Sequence, residues 1–262
     1  MLKRRLIPVL FLKNGLIVRS ETFSYHQNLG NPLDEVKRYN DWNVDELIYV
    51  DISREKYYDL RRDDLRVTGK NNILDIIREI SKVCFAPLTF GGGIRTLEDI
   101  RERIRRGADK VTINTAAIED PSFITRSARE FGSQCIVVSI DYRYMNGAPK
   151  VYKGGAEETD LDPVAWAVEA EKRGAGEIFL NAIDRDGMAN GYDVGMIGKA
   201  AKSVTIPVIA CGGAGTFRDL IDVARNTTVS AVAAGNIFHF TEMAYPRAKD
   251  NMIRNGIGVR TN

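Results

Sequence analysis

Two kinds of residue stand out in this sequence because their type and spacing could do chemistry. Carboxylates close short apolar runs at Asp51 and Asp141, and another pair follows such a run in Asp184-Arg185-Asp186-Gly187. An acid at the end of a buried strand is placed to give or take a proton. Glycine-rich turns follow similar runs at Gly91-Gly92-Gly93 and at Gly212-Gly213-Ala214-Gly215. After the next run in each case come Asn114-Thr115 and Ala234-Gly235-Asn236. Glycine lacks a Cβ, so such turns let a phosphate reach backbone N–H groups. A glycine turn can equally do no more than join strand to helix. Two copies in equivalent places point to a ligand with a phosphate at each end. Other chemistries are poorly supplied. Cys84, Cys135 and Cys211 are odd in number, far apart and set in apolar runs, which reads as buried thiols in a reducing, cytoplasmic compartment. His26 and His239 are the only histidines, too few for a His-rich zinc site or a Cys/His finger. No spacing implies a metal or any other cofactor.

The elements that must position these residues can be read from the same pattern. The apolar, β-branched runs end near Phe11, Asp51, Phe90, Ile113, Asp141, Asn181, Ala210 and Ala234, about 32 residues apart on average, the size of one strand–helix unit. Their near-continuous apolar character suits parallel strands covered on both faces. Asn31-Pro32, Asp120-Pro121 and Asp162-Pro163 each place a capping side chain before a proline at the first helical position. Thr96-Leu97-Glu98-Asp99 resembles a capping box, and its helix ends in Arg105-Arg106-Gly107 with cations at the negative dipole end. Ile73, Ile76, Ile77, Ile80 and Val83 form a core-facing stripe. Eight such units predict a single (β/α)8 barrel over residues 1–262. Pro87–Ile100 matches Pro207–Leu220 at an offset of 120 residues, so the barrel is expected to consist of two similar halves.

Composition excludes more. The formal net charge is +2 with 27% charged residues, which offers no basic stripe for nucleic acid. No apolar run reaches the length of a membrane span, and the basic start followed by Leu6–Leu12 imitates a leader but lacks a cleavage site. That stretch is expected to be the first strand.

The combination of Phe90–Ile94, Ala108–Ala117, Phe131-Gly-Ser-Gln134, Glu171–Glu177, Ile183–Gly187 and Cys211–Gly215 resembles the cyclase subunit of imidazole glycerol phosphate synthase, from about Arg4 to Arg260. The resemblance implies a barrel that receives ammonia at its bottom from a glutaminase partner. At its top, the ammonia meets a two-phosphate ribulosyl nucleotide that is split and closed into an imidazole. Gly92, Gly93, Asn114 and Thr115 then match one phosphate site, and Asp186, Gly187, Gly212, Gly213 and Gly235 the other, with Asp51 also facing substrate. Arg19 stands for a Lys of the first loop, and Asp141 for the catalytic acid of the fifth strand. Arg5, Glu46, Lys110 and Glu177 match the charged ring where ammonia enters.

The departures from that family are as informative. Phe11 stands where the family has its other catalytic Asp, Asn14 stands for Asp, Lys153-Gly154-Gly155 lacks a usual Ser, and Asn181 replaces a common Thr. Loss of a positioned acid costs about 10²–10⁴-fold in rate. The pattern is similar to a variant branch associated with surface-polysaccharide synthesis, in which barrel and glutaminase serve a sugar amidotransferase. The alternatives are an ordinary histidine-pathway cyclase and a non-catalytic scaffold that delivers ammonia. A single-chain sugar isomerase on a related barrel would not need the charged ring.

Overall fold

A computed structural model describes residues 3–53, 57, 58 and 72–260. The chain opens with β1 (Arg5–Lys13), the hairpin strands β2 (Leu16–Glu21) and β3 (Tyr25–Gly30), helix α1 (Pro32–Asp41) and β4 (Leu47–Asp51). Next come α2 (Ile73–Ser81), β5 (Leu88–Gly91), α3 (Leu97–Arg105) and β6 (Lys110–Ile113). Helices α4 (Thr115–Glu119) and α5 (Ser122–Phe131) lead to β7 (Ile136–Met145), followed by β8 (Ala148–Lys153) and β9 (Glu157–Glu158). The last units are α6 (Pro163–Lys172), β10 (Glu177–Ala182), α7 (Val194–Ser203), β11 (Val208–Cys211), α8 (Phe217–Asn226), β12 (Ala231–Ala234) and α9 (Ala244–Arg254).

Among the described residues, eight strands pair in parallel in the order β1, β4, β5, β6, β7, β10, β11, β12, and β12 returns to β1 through Arg5↔Ala231 to Pro8↔Ala234. The ring is closed, and the fold is a (β/α)8 barrel. The expected first strand is β1, and Phe11 lies within it rather than at its end. Met1, Leu2, Thr261 and Asn262 lie outside the described residues. Two antiparallel additions were not expected from the pattern: β2 and β3 prolong β1, and β8 and β9 prolong β7. Both sit on the top of the barrel, where strands end.

Alternation along β1 shows how closure divides the core. Leu6, Leu10 and Leu12 join the layer between strands and helices, whereas Ile7, Val9 and Phe11 join a second cluster with Ile48, Val137, Phe179, Ile209, Ala231 and Ala233 that fills the barrel. The helices begin as their sequences direct. The Asn31 side chain accepts from Leu33 N–H, Asp162 accepts from Val164 and Ala165, and Thr96 with Asp99 forms the reciprocal box. Asp120 differs: α5 starts one residue later than expected, with Pro121 preceding the helix, and the Asp120 carboxylate still accepts from Ser122 N–H at 3.0 Å. The thiols also differ from expectation, since Cys211 alone of the three is buried and Cys84 and Cys135 are half-buried. Both pack against the edge of the core from the segments that lead into β5 and β7, where solvent still reaches them. Among the described residues, no helix is long and apolar enough to cross a membrane.

The tail is tied to the start. Arg4 bridges Val259, and α9 seats Lys249 against the buried Asp45, with Nζ and Oδ1 2.7 Å apart. The other oxygen of Asp45 accepts from Leu6 N–H at 2.9 Å, so one carboxylate ties α9, β1 and the entry to β4 together. Removing one partner of a buried pair leaves the other charge uncompensated. Lys249→Ala is therefore expected to destabilise the fold by about 3–5 kcal/mol, read as a fall in the midpoint of urea unfolding.

Candidate functional site

Barrel geometry gives each inward side chain a height. At the bottom, where strands begin, Arg5, Glu46, Lys110 and Glu177 meet in a closed ring. Arg5 reaches Glu46 at 2.6 Å and Glu177 at 3.0 Å, and Lys110 reaches the same two carboxylates at 3.2 and 3.1 Å. Each acid thus bridges both cations, and Thr89 adds a hydroxyl bond to Glu46. Burial works against the Arg5 charge, yet the two glutamates outweigh it and hold its pKa above the usual arginine value. Above this ring the lumen is apolar, lined by Ile7, Val9, Ile48, Val137, Phe179 and Ile209.

At the top, Asp141 sits on β7 with 7% of its surface exposed. Asn181, its partner in register on β10, donates to Oδ1 at 3.2 Å, and Ser139, two residues back on the same strand face, donates to the same oxygen at 3.2 Å. Asn114 donates to Oδ2 at 3.4 Å. Burial outweighs the bonds from Asn181 and Ser139 and pushes the carboxyl up to about 6. Asp186 is also buried and also raised to about 6, with burial as the main cause. The Ser20 hydroxyl and Phe23 N–H oppose that rise, while the negative charges of Asp141 and Glu21 add to it. Two carboxyls poised near 6 suit proton transfer at neutral pH.

The remaining expected site residues fall into place unevenly. The turn after β5 carries Gly92 and Gly93, and Asn114 and Thr115 follow the adjacent β6; Gly212 and Gly213 follow β11, and Gly235 follows the adjacent β12. These two groups lie on opposite sides of the ring. Close packing alone requires some of the glycines. At Gly92 φ is 95° and a Cβ would fall 2.0 Å from the Asp51 carbonyl oxygen; at Gly212 φ is 98° and a Cβ would fall 2.5 Å from that of Ala182. Gly187 and Gly213 are likewise pressed against the carbonyls of Ser20 and Gly191, and Gly235 stands close to that of Val9. Gly93 is the more open position, its nearest outside neighbour being Arg103 Nη2 at 3.7 Å.

Asn114 is engaged within the protein. Its amide also donates to the carbonyls of Ser139 and Tyr152, both at 3.2 Å, and its Oδ1 accepts from Gly154 N–H at 2.9 Å and from the Thr115 hydroxyl at 3.4 Å. It steadies Asp141 and the turn after β8. Asp51 accepts from Tyr58 OH at 2.7 Å and from Ser53 N–H at 2.9 Å, and burial raises its pKa against these bonds and the charge of Arg103. Arg19 pairs with Glu21 and lies over the Phe240 ring. Sequence reasoning did not single out Ser139, although its place two residues before Asp141 marks the same strand face. It also missed Phe23, which approaches only through the folding back of the β2–β3 hairpin.

The raised pKa of Asp141 has a thermodynamic consequence. Its folded value of about 6 lies above the 3.8 of a free side chain, so the folded state binds the proton more tightly. The associated stability is fully present below the lower value and is lost as pH rises toward the higher one. Asp141→Asn, which cannot ionise, is expected to gain about 1–3 kcal/mol over the unsubstituted chain at pH 8, with little gain at pH 4, as followed by Tm.

Known proteins are similar to this chain in sequence over its full length. The histidine biosynthesis protein family matches residues 5–244, which include all the barrel strands. The chain is 40% identical to the imidazole glycerol phosphate synthase subunit HisF of Hydrogenobaculum sp. (strain Y04AAS1), covering 99% of this chain and 100% of that one. It is also 40% identical to the protein of the same name from Caulobacter vibrioides (strain NA1000 / CB15N), covering 99% and 97%. Identity of this extent, over a barrel with charge at its base and carboxyls at its mouth, means that the chain belongs to the imidazole glycerol phosphate synthase subunit HisF family.

Proposed function

We propose that this chain is the ammonia-accepting barrel of a two-component glutamine amidotransferase, working in the cytoplasm with a glutaminase docked at the bottom of its barrel. The observation that carries this reading is the closed ring of Arg5, Glu46, Lys110 and Glu177 under an apolar lumen that leads toward Asp141. A ring in which every charge is compensated excludes water and ions, while a small neutral molecule can pass when one pair opens. Docking at the bottom is supported by Phe85, 90% exposed beside a concavity of about 540 Å³ that Ser81, Pro87, Arg106 and Asp109 also line. A large exposed apolar side chain at a cavity rim suits a protein contact.

At the top, Asp141 serves as the acid or base, and the turns at Gly93 and Thr115 and at Asp186, Gly187, Gly213 and Gly235 receive a two-phosphate ligand. The sequence repeat of 120 residues supports a reading of these turns as equivalent parts of two similar half-barrels. Phe11 occupies a top-layer position inside the barrel, 4% exposed, and supplies no proton-transfer group there. With Asn14, Gly154 and Asn181, it marks a specialised relative that supplies ammonia for amidination of a surface sugar by a separate sugar amidotransferase. The second reading is a histidine-pathway cyclase, which converts the two-phosphate nucleotide and ammonia to imidazole glycerol phosphate. Full-length identity of 40% to proteins of that name supports a HisF-like cyclase subunit, which both readings share.

Turnover of the two-phosphate nucleotide by the purified chain under saturating ammonium separates the two. A specialised relative is expected to bind the nucleotide but react at least about 10²-fold more slowly than the roughly 10 per second of a typical enzyme. Turnover near that rate assigns the chain to the histidine pathway. In the assembled complex, Glu46→Ala is expected to leave glutamine hydrolysis running while nitrogen transfer to the acceptor falls. Unchanged transfer would remove the ring from the route.

A further inference from the structure

One buried charge in this barrel belongs neither to the ring at its base nor to the carboxyls at its mouth. Arg103, on α3, is 4% exposed. Its Nη1 donates to the Asp99 carbonyl of its own helix at 2.9 Å, and its Nη2 donates to the Gly92 carbonyl at 2.7 Å. Among the described residues its Nε has no hydrogen-bond partner. Asp99, Asp51 and Tyr58 act on it electrostatically, yet burial outweighs them and holds its pKa below the usual arginine value. A buried guanidinium bonded only to carbonyls is costly, because neutral acceptors return part of its lost hydration and no more.

The fold does not demand a charge at this place. Pro87–Ile100 repeats as Pro207–Leu220 at an offset of 120 residues, and α3 and α8 begin at matching points of that repeat, Leu97 and Phe217. Carried one turn further, the repeat sets Arg103 in register with Val223, which is 0% exposed on α8. An apolar side chain fills the matching position there. What Arg103 grips is therefore the informative feature. The Gly92 carbonyl and the Gly93 N–H belong to one peptide, and in a planar trans peptide they point in opposite directions. Holding the carbonyl from the α3 side fixes the direction of that N–H on the other side. Nη2 also lies 3.7 Å from the place a Cβ would take on Gly93, which sets the positive charge directly beside the turn.

We infer that Arg103 is the positioning residue of the Gly92–Gly93 turn and makes that turn selective for a phosphate dianion. It acts through the peptide it holds, aiming the Gly93 N–H, and its charge favours a second negative charge on the ligand. The inference rests on the reading of this turn, together with Thr115, as a phosphate site. The Gly212–Gly213 turn gains no such charge from its own helix, where Val223 stands in the matching place.

The test uses the full, isotope-labelled chain and follows the backbone amide signals of Gly93 and Gly213 by NMR. Methyl phosphate, a dianion at about pH 7.5, and dimethyl phosphate, a monoanion, are titrated separately. Arg103→Met keeps the length of the side chain and removes its charge. Coulomb energy is proportional to the charge on the ligand, so a loss of about tenfold for the dianion at Gly93 is expected to accompany about threefold for the monoanion. The response at Gly213 is expected to stay unchanged, which also reports that the variant is folded. Arg103→Lys, which keeps the charge, is expected to hold the ratio of the two affinities within about twofold of the unsubstituted chain. Equal losses for both ligands in Arg103→Met overturn the selectivity, and unchanged affinities overturn the role altogether. Should Arg103→Met fail to fold, a ratio in Arg103→Lys lowered by about threefold or more overturns the inference. A response at Gly213 alone in the unsubstituted chain overturns it as well. No response at either turn overturns the phosphate reading itself, and the inference with it.

Discussion

Closure of the parallel ring between β1 and β12 is the constraint on which the rest of this structure depends. In an open sheet, alternate side chains face two similar layers. In a closed ring they are divided between an outer layer under the helices and an inner column stacked by height. On β1 the column climbs from Arg5 through Ile7 and Val9 to Phe11, and on β10 from Glu177 through Phe179 to Asn181. A slip of one residue would turn each of these sets outward. The chemical meaning of a residue is therefore its height in the barrel: charge at the base, apolar walls in the middle, proton-transfer groups at the mouth.

The two ends treat buried charge in opposite ways. At the base, each of the two anions is within direct reach of both cations, so the desolvation each suffers is offset by its partners. At the mouth, Asp141 is met by amides and a hydroxyl, which are neutral donors. Neutral hydrogen bonds recover part of the lost hydration of a carboxylate and no more, so burial prevails and the pKa rises. The base is consequently a stable closure, while the mouth keeps carboxyls that gain or lose a proton near neutrality. Asn114 illustrates how closely the two requirements of a site, binding and support, compete for the same atoms. Its amide is engaged by Asp141 and the backbone around it, which places it with the support.

The antiparallel additions on β1 and β7 convert an open mouth into a covered one. Their effect depends on contacts between distant segments: Phe23 with Phe11, Gly155 with Phe23, and Asn236 with Ser20. Phe11 thus does more than line the lumen. It changes the surface on which the hairpin rests.

The sequence by itself determined the repeat of strand and helix, the caps at Asn31, Thr96 and Asp162, and the strands whose ends carry Asp51, Asp141 and the glycine turns. These depend on local patterns: near-continuous apolar runs, capping side chains next to prolines, and glycine after the last apolar residue. Tertiary structure alone decided that Arg5, Glu46, Lys110 and Glu177 touch, because each comes from a different strand and meets the others only when the ring closes. It likewise decided that Gly92 and Gly212 are required by neighbouring carbonyls, that Asn114 belongs to Asp141, and that Phe23 returns to Phe11. Local sequence carries the cost of each turn and cap, but a contact between remote segments has no local signature, and here such contacts make the site.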